Sequence, residues 1–598
     1  MSSNGVVGIN NSASDEVVAT QKDSKGESRH SVMSVEEEVK HDKGVDFIAA
    51  LPIELLSWVF AHVPNLQLVE CMLVNKNWRT LVGDCREAWR EVEVSSSSGT
   101  LNNAMFFKVT QAAAGHIHRL ELTDPGDQWI QLISECKTLH TLLIKSTRLS
   151  SSLLLQNLRK VSPTLKRLQL YIQAVNDDIF VPVWSICTHL THLALYVNQI
   201  RAIEDSFDNL PVLSDLVHLS LHVSVSAMVD MPRKLDSIFR ACPNLEYFEN
   251  GLYPCPTVLL ERLRQRLPRL QHLFWKEFPL GAKGWDRSAV STSEELGSSS
   301  LTITTSQRLR TISMLLGARD VSQGYQICSF LAHSRSSLET VEIHGPLGIE
   351  PEEFRGWDAF SSLHGDCLRA LTLKRLAIDT NTILSLLRQC RSLHAITLDQ
   401  MPLIQDPFFD ALLDLAHLEQ LRIIRGCSRL TSDRLTYFLN NIASQSGITG
   451  SDNNDNKEQQ HAPALKDIHL CSHLISNASL AALANIQSIE KLQLSGNRSL
   501  AIGDALEVVA RQLTNLVEVR LITISACSDT FMINLSHLKR LERVELLALR
   551  QVSNDGVMAL ANNSSSLKYI AVRVCPMITQ EAMTYAQQKN ICVRYAKA

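Results

Sequence analysis

The sequence predicts an α/β chain in which three short helices precede a curved solenoid of strand–helix units, with parallel strands on the concave face. Three observations support this prediction. A short apolar pattern recurs along most of the chain, the residues before its first copy have a helical texture, and the composition can supply a large core. The 598 residues, of which 45% are hydrophobic and 6% aromatic, exceed the usual size of one compact domain.

Charge and cysteine usage narrow the classes of function. Lys and Arg number 58 against 62 for Asp and Glu, and this formal net charge of −4 gives no global attraction for nucleic acid or an anionic membrane. The 14 cysteines are scattered singly, without a CxxC pair, which favours reduced thiols. No stretch approaches the ~18 uncharged apolar residues that a bilayer span requires. We therefore expect a cytoplasmic or nuclear protein with no nucleic-acid and no membrane partner.

Three polar stretches punctuate the chain. Residues 1–45 are rich in Ser, Asn, Glu and Lys with few large apolar side chains, so we predict a disordered tail. Polar stretches near 286–307 and 444–463 have the same character. Because the repeating pattern continues on both sides of each, we predict insertions in loops.

The repeating unit is apolar-x-x-apolar-x-apolar, and it occurs in about seventeen copies over residues 95–598. Leu165/Leu168/Leu170 is a clear example near the start. Copies are about 22 to 30 residues apart, and the two longer steps fall at the polar insertions. The alternating part suits a short strand, whereas residues 380–390 place apolar side chains at helical spacing.

One strand and one helix cannot bury their apolar faces alone, so neighbouring units must stack into a continuous core. Since helices are wider than strands, the stack should curve with its strands inside. An array of HEAT-type helices is the alternative, but it lacks the tight apolar-x-apolar step and has longer periods. The unit and its period resemble the leucine-rich repeat.

A different pattern occupies residues 46–94. It runs Leu51-Pro52-x-Glu54-Leu55-Leu56-x-x-Val59-Phe60, then Leu66 and Leu68, then Leu73-Val74-Asn75-Lys76-x-Trp78-Arg79, and ends with Trp89. Pro52 and the pair Pro64-Asn65 are typical of helix starts, so we predict three short helices. The residues resemble the F-box, the Skp1-binding module of cullin-RING ubiquitin ligases. Val59 and Gln67 are mild departures, since Ile and an acidic residue are commoner there.

Three small helices cannot hide all these apolar side chains, so we expect a partner helix bundle to complete their burial. The alternative is that the segment only caps the first repeat of the solenoid. The resemblance implies that Skp1 is bound by a defined set of residues, namely Leu51, Pro52, Leu55, Leu56, Val59, Phe60, Leu73, Val74 and Trp78.

An F-box followed by leucine-rich repeats is similar to the F-box/leucine-rich-repeat family of substrate receptors. The resemblance implies a non-catalytic subunit of an SCF (Skp1–cullin–F-box) ubiquitin ligase, with Skp1, the cullin core and a protein substrate as partners. A Skp1-bound scaffold without ligase function is the alternative. A sensor of inositol phosphates ranks below both, because the candidate Lys and Arg residues are spread over distant repeats.

Residues that alternate with the apolar anchors should face outward on the strand side, where aromatic and Arg side chains are the commonest interface anchors. Candidates for substrate binding are Tyr171, Tyr196, Phe274, Lys276, Lys374, Arg422, Arg520, Tyr569 and Arg573.

Motifs for chemistry are not found in the sequence. It contains no GxxxxGK[ST] loop, HExxH helix or GxSxG elbow, so we predict no catalytic, cofactor or metal residues. Several histidines recur near the early anchors without carboxylate or Cys at ligand spacing, and we interpret them as solvated strand or turn residues. They are His116, His118, His189, His192, His218 and His222.

Overall fold

The structure is a computed structural model that describes residues 51–95, 102–174, 179–197, 210–223, 231–251, 258–275, 309–316, 323–345, 357–362, 365–446, 463–499 and 501–596. Two compact units divide the chain, Met1–Pro52 and Ile53–Ala598. Of the first unit only Leu51 and Pro52 are described, so the following account concerns the second. The predicted tail, the insertion at 286–307 and most of that at 444–463 lie outside the described residues.

Three helices open the second unit: α1 (Ile53–Ala61), α2 (Asn65–Val74) and α3 (Lys76–Asp84). Pro64 precedes α2, and the Asn75 side chain accepts a hydrogen bond from the Trp78 N–H at the start of α3. Both breaks between helices therefore fall at residues that favour a new helix start.

In the described residues, nineteen parallel strands form one sheet, and each pairs with the next in sequence order. The strands are β1 (Glu91–Ser95), β2 (Arg119–Thr123), β3 (Thr141–Arg148), β4 (Arg167–Ala174), β5 (His192–Val197), β6 (His218–Val223), β7 (Tyr247–Asn250), β8 (His272–Trp275), β9 (Thr311–Leu315), β10 (Thr340–His344), β11 (Ala370–Lys374), β12 (Ala395–Asp399), β13 (Gln420–Ile423), β14 (Asp467–Cys471), β15 (Lys491–Ser495), β16 (Glu518–Ile522), β17 (Arg543–Leu547), β18 (Tyr569–Arg573) and β19 (Cys592–Ala596).

Helices connect many of these strands. They are α4 (Asn102–Ala112), α5 (Asp127–Leu132), α6 (Ser151–Val161), α7 (Phe180–Ile186), α8 (Met231–Ala241), α9 (Val258–Arg266), α10 (Gln323–His333), α11 (Thr380–Gln389), α12 (Pro407–Leu412), α13 (Ser432–Ser446), α14 (Asn477–Ala484), α15 (Gly503–Gln512), α16 (Asp529–Ser536), α17 (Asn554–Asn563) and α18 (Gln580–Gln588). Because a crossover joins each pair of neighbouring parallel strands, the chain advances by one strand per repeat.

The repeat anchors form the core between strands and helices. Every anchor of the apolar pattern falls at or just before one of the strands β2–β18 and is buried, the most exposed being Leu567 at 8%. Register also continues across the insertions, with Leu421 beside Ile468 and Leu273 beside Ile312. The predicted α/β solenoid of parallel strands is therefore confirmed, and β1 and β19 extend it by one strand at each end.

A turn in the left-handed backbone region follows several strands. Thr523, Ala548 and Val574 have φ of 55°, 54° and 57°, and each N–H donates to the carbonyl that ends the next strand, at 2.8 to 3.1 Å. These turns tie the end of each repeat to its neighbour. Two of these residues, Thr523 and Val574, are β-branched and adopt a backbone conformation that costs about 1–2 kcal/mol outside glycine.

Candidate docking surfaces

The three N-terminal helices build their own small core. Leu56 and Phe60 lie four residues apart on α1 and are buried, as are Leu68, Val69 and Met72 on α2. Trp89 closes this core and donates its Nε1–H to the Val82 carbonyl at 2.9 Å. A pair four residues apart faces one side of a helix, so α1 has one face turned inward and another available for contact.

The other side of these helices is apolar and exposed. Seven of the thirteen exposed large apolar side chains in the described residues fall within residues 53–74, although that range is a small part of the chain. We call them the apolar set; they are Ile53, Leu55, Trp58, Val59, Leu66, Leu73 and Val74. Exposed apolar side chains concentrated in this way are typical of protein interaction sites.

The structure divides the residues expected to bind Skp1. Pro52, Leu55, Val59, Leu73 and Val74 are exposed, and Leu51 and Trp78 are half-buried. Leu56 and Phe60 differ from the expectation, because they are already buried within the chain and present no surface to a partner. Sequence reasoning omitted Ile53, Trp58 and Leu66 from this set. Of these, Trp58 is 65% exposed, and its large apolar ring in a variable position of the motif was the available signal.

Asn65 fixes the position of α2 against the sheet. Its Nδ2 donates to the carbonyls of Ala88 and Glu91 at 3.3 and 3.1 Å, and its Oδ1 accepts from the N–H of Glu93 at 3.1 Å. Since Glu91 and Glu93 belong to β1, the first strand of the sheet is hydrogen-bonded directly to the helices. Three bonds from one amide hold the helices and β1 in one orientation.

The outer strand face is our name for the side of the sheet opposite the buried anchors, formed by the first, third and fifth residues of each strand. At β4–β6 it carries stacked rings: Tyr171 on Tyr196, and Tyr196 on His222, each with ring centroids 4.4 Å apart. A second stack joins His192, His218 and Tyr247. We call these two stacks the ring region.

Glu249 on β7 connects the two stacks. Its carboxylate accepts hydrogen bonds from the hydroxyls of Ser220 and Tyr247, both at 3.2 Å, and lies 3.4 Å from His222 Nε2. Burial, followed by the charge of Glu249, raises the pKa of Tyr171 to about 12 and raises those of Tyr196 and Tyr247 further. These tyrosines therefore remain neutral hydrogen-bond donors.

The early histidines divide between two environments, and the expectation that all are solvated was wrong. His222 is only 6% exposed, and His192 and His218 are half-buried in their stack. Burial lowers the pKa of both His192 and His218 to about 4. His116 is exposed, as expected. The sequence pattern indicated strand or turn positions for these imidazoles, but the register that stacks them required the structure.

Ion pairs dominate the outer strand face farther along the sheet. Arg422 Nη2 lies 2.5 Å from Asp467 Oδ2, and Arg520 Nε lies 3.2 Å from Glu545 Oε2. Arg543 contacts the same Glu545 at 2.7 Å and Glu518 at 3.7 Å. The Arg543–Glu545 pair lies within β17, and the other three pairs cross-link neighbouring strands. We call this part of the face, from β13 to β17, the ion-pair region.

The remaining substrate-binding candidates also lie on the outer strand face where they are described. Phe274 packs on Tyr247 with ring centroids 5.2 Å apart, and Lys374 donates to Glu342 at 3.2 Å. The Arg543 guanidinium lies 4.3 Å above the ring of Tyr569, and Arg573 is exposed. Lys276 lies outside the described residues. The role of these candidates in substrate binding stays a prediction.

Other chemistry finds little support in the described part of the chain. No three His, Cys, Asp or Glu side chains there are grouped to hold a metal ion. Burial raises the pKa of the Cys136 and Cys187 thiols to about 12, so these cysteines stay protonated and serve packing. Over the same residues, none of the helices combines the length and apolar character needed to cross a bilayer.

Comparison with known proteins places the helices in a recognised module. A model of the F-box domain matches residues 48–90. No curated protein matches the chain. Among solved structures, the complex of Rad7 and Elc1 in yeast is similar with a TM-score of 0.36 and 15% identity, covering 62% of this chain and 79% of that one. A likeness at that TM-score supports no conclusion about function, so the F-box match and the geometry above carry the functional assignment.

Proposed function

We propose that the chain is the substrate-recognition subunit of an SCF ubiquitin ligase, with the F-box docking on Skp1 and the outer strand face holding the protein to be ubiquitinated. The observation that carries the proposal is the coincidence of the F-box match at 48–90 with the apolar set. The residues that the domain model recognises also hold seven of the thirteen exposed large apolar side chains in the part of the chain that the structure describes.

The apolar set favours an adaptor over a simple cap of the solenoid. Leu55, Trp58 and Val59 lie at i, i+3 and i+4 on α1, so they share one face of the helix. A different face of α1, with Leu56 and Phe60, is buried within the chain. A cap would need only the buried face, whereas an adaptor explains why a second apolar face remains in water.

In this function the chain contributes proximity and no bond chemistry. Other subunits of the ligase would carry the activated ubiquitin, and the sheet would hold a client near it. Holding two reactants together raises their effective concentration, which supplies rate without a catalytic residue in this subunit. Asn65 supports this role, because its hydrogen bonds to β1 hold the F-box helices and the first strand of the sheet in a fixed relative orientation.

Capture of purified Skp1 by the full chain tests the docking surface. Leu55→Asp with Val59→Asp places two charges in the exposed face of α1, and we expect Skp1 affinity to fall by at least about a hundredfold. Ile533→Asp is the matched control, because Ile533 is an exposed apolar residue on the distant α16. Equal capture of Skp1 by the wild type and by a folded double variant would show that this surface is not the docking site.

Recovery of partners from cells tests the ligase role. A substrate receptor should co-purify with a cullin, and its client should become more abundant when the chain is deleted. A Skp1-bound scaffold would retain Skp1 but lack the cullin and leave client levels unchanged. The Leu55→Asp, Val59→Asp variant should lose Skp1 and the cullin together while keeping any client bound to the strands.

A further inference from the structure

The ion-pair region together with the next strand, β18, has a sign of charge that the whole chain does not share. Over the first, third and fifth positions of β13–β18 there are five cations, Arg422, Lys491, Arg520, Arg543 and Arg573, and three carboxylates, Asp467, Glu518 and Glu545. The difference, 5 − 3, is +2, whereas the chain carries −4. A local excess of positive charge on an outer sheet face is complementary to an acidic partner.

The arginines of this face are also more exposed than the carboxylates that pair with them. Arg422 is 41% exposed and its partner Asp467 16%, and Arg520 is 44% exposed and its partner Glu545 20%. The carboxylates therefore lie beneath the guanidinium groups and hold them in place. A guanidinium has five N–H donors and a carboxylate engages at most two of them directly, so each arginine keeps donors directed toward solvent.

Arg422 and Arg520 also lie in one row. Both are third residues of their strands, and strand pairing runs from Arg422 through His469 and Gln493 to Arg520. Three steps of ~4.8 Å between parallel strands separate the two guanidinium-bearing positions by about 14 Å. The two residues between them carry no formal charge while His469 is neutral.

The positive charge of this row lies at its two ends. His469 is buried, and burial together with the charges of Arg422 and Arg520 lowers its pKa to about 4. His469 is therefore neutral near pH 7 and hydrogen-bonds to the Ser495 hydroxyl at 3.1 Å. The arginines are the source of the positive potential that a ligand would meet.

We propose that this row binds an acidic segment of a client protein through Asp or Glu carboxylates, with one carboxylate on Arg422 and a second on Arg520. The inference rests on the proposed function, because it specifies the client that the strands hold. In an extended peptide that rises ~3.3 Å per residue, carboxylates four residues apart span about 13 Å and match the row. The recognition element is therefore an extended Glu-x-x-x-Glu segment.

Fluorescence anisotropy of the full chain with labelled dodecapeptides tests this. The peptides share a Gly/Ser/Leu background and carry Glu, Gln or phosphoserine at two positions four residues apart. We expect the Glu peptide to bind about tenfold more tightly than the Gln peptide, and the difference to shrink in high salt. Equal affinity for Glu and Gln, absence of binding, or a preference for phosphoserine alone would each overturn the proposal.

Matched variants separate the row from the general charge of the chain. Arg422→Gln with Arg520→Gln should abolish the preference for the Glu peptide. Arg434→Gln with Arg540→Gln makes the same change of charge away from the row and should leave the preference within about twofold. Loss of the preference in both variants would contradict a local site.

A charge swap tests the row without leaving Asp467 unpaired. Arg422→Asp with Asp467→Arg keeps the ion pair and the net charge but takes the guanidinium out of the row, and we expect the Glu preference to fall about tenfold. Skp1 capture is measured in parallel. Wild type that binds Skp1 but not the Glu peptide sinks only this inference, whereas wild type that fails to bind Skp1 sinks the proposed function.

Discussion

The outer strand face is built differently in the ring region and in the ion-pair region. Between β4 and β7, rings stack on rings, and Ala194 and Ser220 between them are buried. Between β13 and β17, carboxylates lie beneath exposed arginines. Both regions lie over the same pattern of buried anchors, at the second and fourth positions of each strand. The second and fourth strand positions therefore set the fold, while the first, third and fifth positions are free to set the chemistry of the outer strand face.

The largest effect is expected where the ring region has no spare space. A Cβ on Gly251 would lie 2.2 Å from His222 Nδ1, so Gly251→Ala must displace the imidazole that stacks on Tyr196. We expect the free energy of unfolding to fall by about 2 kcal/mol, measured by urea denaturation. Gly115→Ala is the control, since nothing lies within 4 Å of its added methyl group. Equal stability of the two variants would break the view that the ring region is tightly packed.

A smaller effect is expected from acid. His192 and His218 have a folded pKa of about 4, below the ordinary value of 6.5. As pH falls, the unfolded chain binds protons at these two histidines before the folded chain does. The stability that the neutral histidines contribute is therefore present above about pH 6.5 and is lost as pH falls toward 4. Arg167 near both rings opposes their protonation, whereas Glu249 favours that of His218.

His218→Phe keeps a ring in the stack and removes one titrating group. We expect the loss of unfolding free energy between pH 7 and pH 5 to be smaller than in wild type by on the order of 1 kcal/mol. His116→Phe, at an exposed histidine, is the control and should follow wild type. A wild-type profile that stays flat over this pH range would contradict the assignment.

The ion pairs should matter less to stability than the rings. Arg520→Gln removes one half-exposed pair, and we expect a cost of about 0.5 kcal/mol that disappears in 1 M NaCl. Tyr196→Leu in the ring region should cost more than 1 kcal/mol, roughly independent of salt. Finding equal costs, or a salt-dependent cost for Tyr196→Leu, would remove the energetic contrast between the two regions.

The smallest effect is expected in the turns that follow the last strands of the sheet. It tests whether backbone strain in these turns, and not the side chains of the outer strand face, limits the stability there. Val574 has φ of 57°, a conformation that disfavours β-branched side chains. Val574→Gly should raise the free energy of unfolding by roughly 0.5 kcal/mol, after the greater chain entropy of glycine is subtracted. Ala548→Gly, at the equivalent turn with φ of 54°, should gain less. A clear loss of stability in Val574→Gly would show that its side chain contributes packing that outweighs strain.

The sequence predicted the fold well because its signal is local. The three apolar anchors of each repeat lie within six residues, so burial and strand direction could be inferred without long-range information. The F-box pattern is also read from residues that lie close together in the chain, and the match of the F-box domain model to residues 48–90 confirms the predicted F-box. β1 was missed although Trp89, Val92 and Val94 have the spacing of the repeat anchors, because Trp89 was assigned to the end of the F-box pattern.

The outer strand face was less accessible, because its contacts join distant parts of the chain. Arg422 pairs with Asp467, 45 residues away and beyond the polar stretch at 444–463. No spacing rule names that partner until the register of β13 and β14 is known. Leu56 and Phe60 were a different case: they belong to the F-box pattern, but only the packing of α1 shows that the chain buries them itself.

The amide of Asn65 has a geometric consequence for the proposed ligase subunit. Because it ties α2 to the backbone of β1, the sheet starts at a set distance from the adaptor, and each further strand adds ~4.8 Å. The strand that a client grips would then determine how far its lysines sit from the incoming ubiquitin. The position of the binding strand along the solenoid would therefore set the client's distance from the adaptor, and Asn65 fixes where that distance begins. Asn65→Ala would loosen this junction and make the distance variable for every strand.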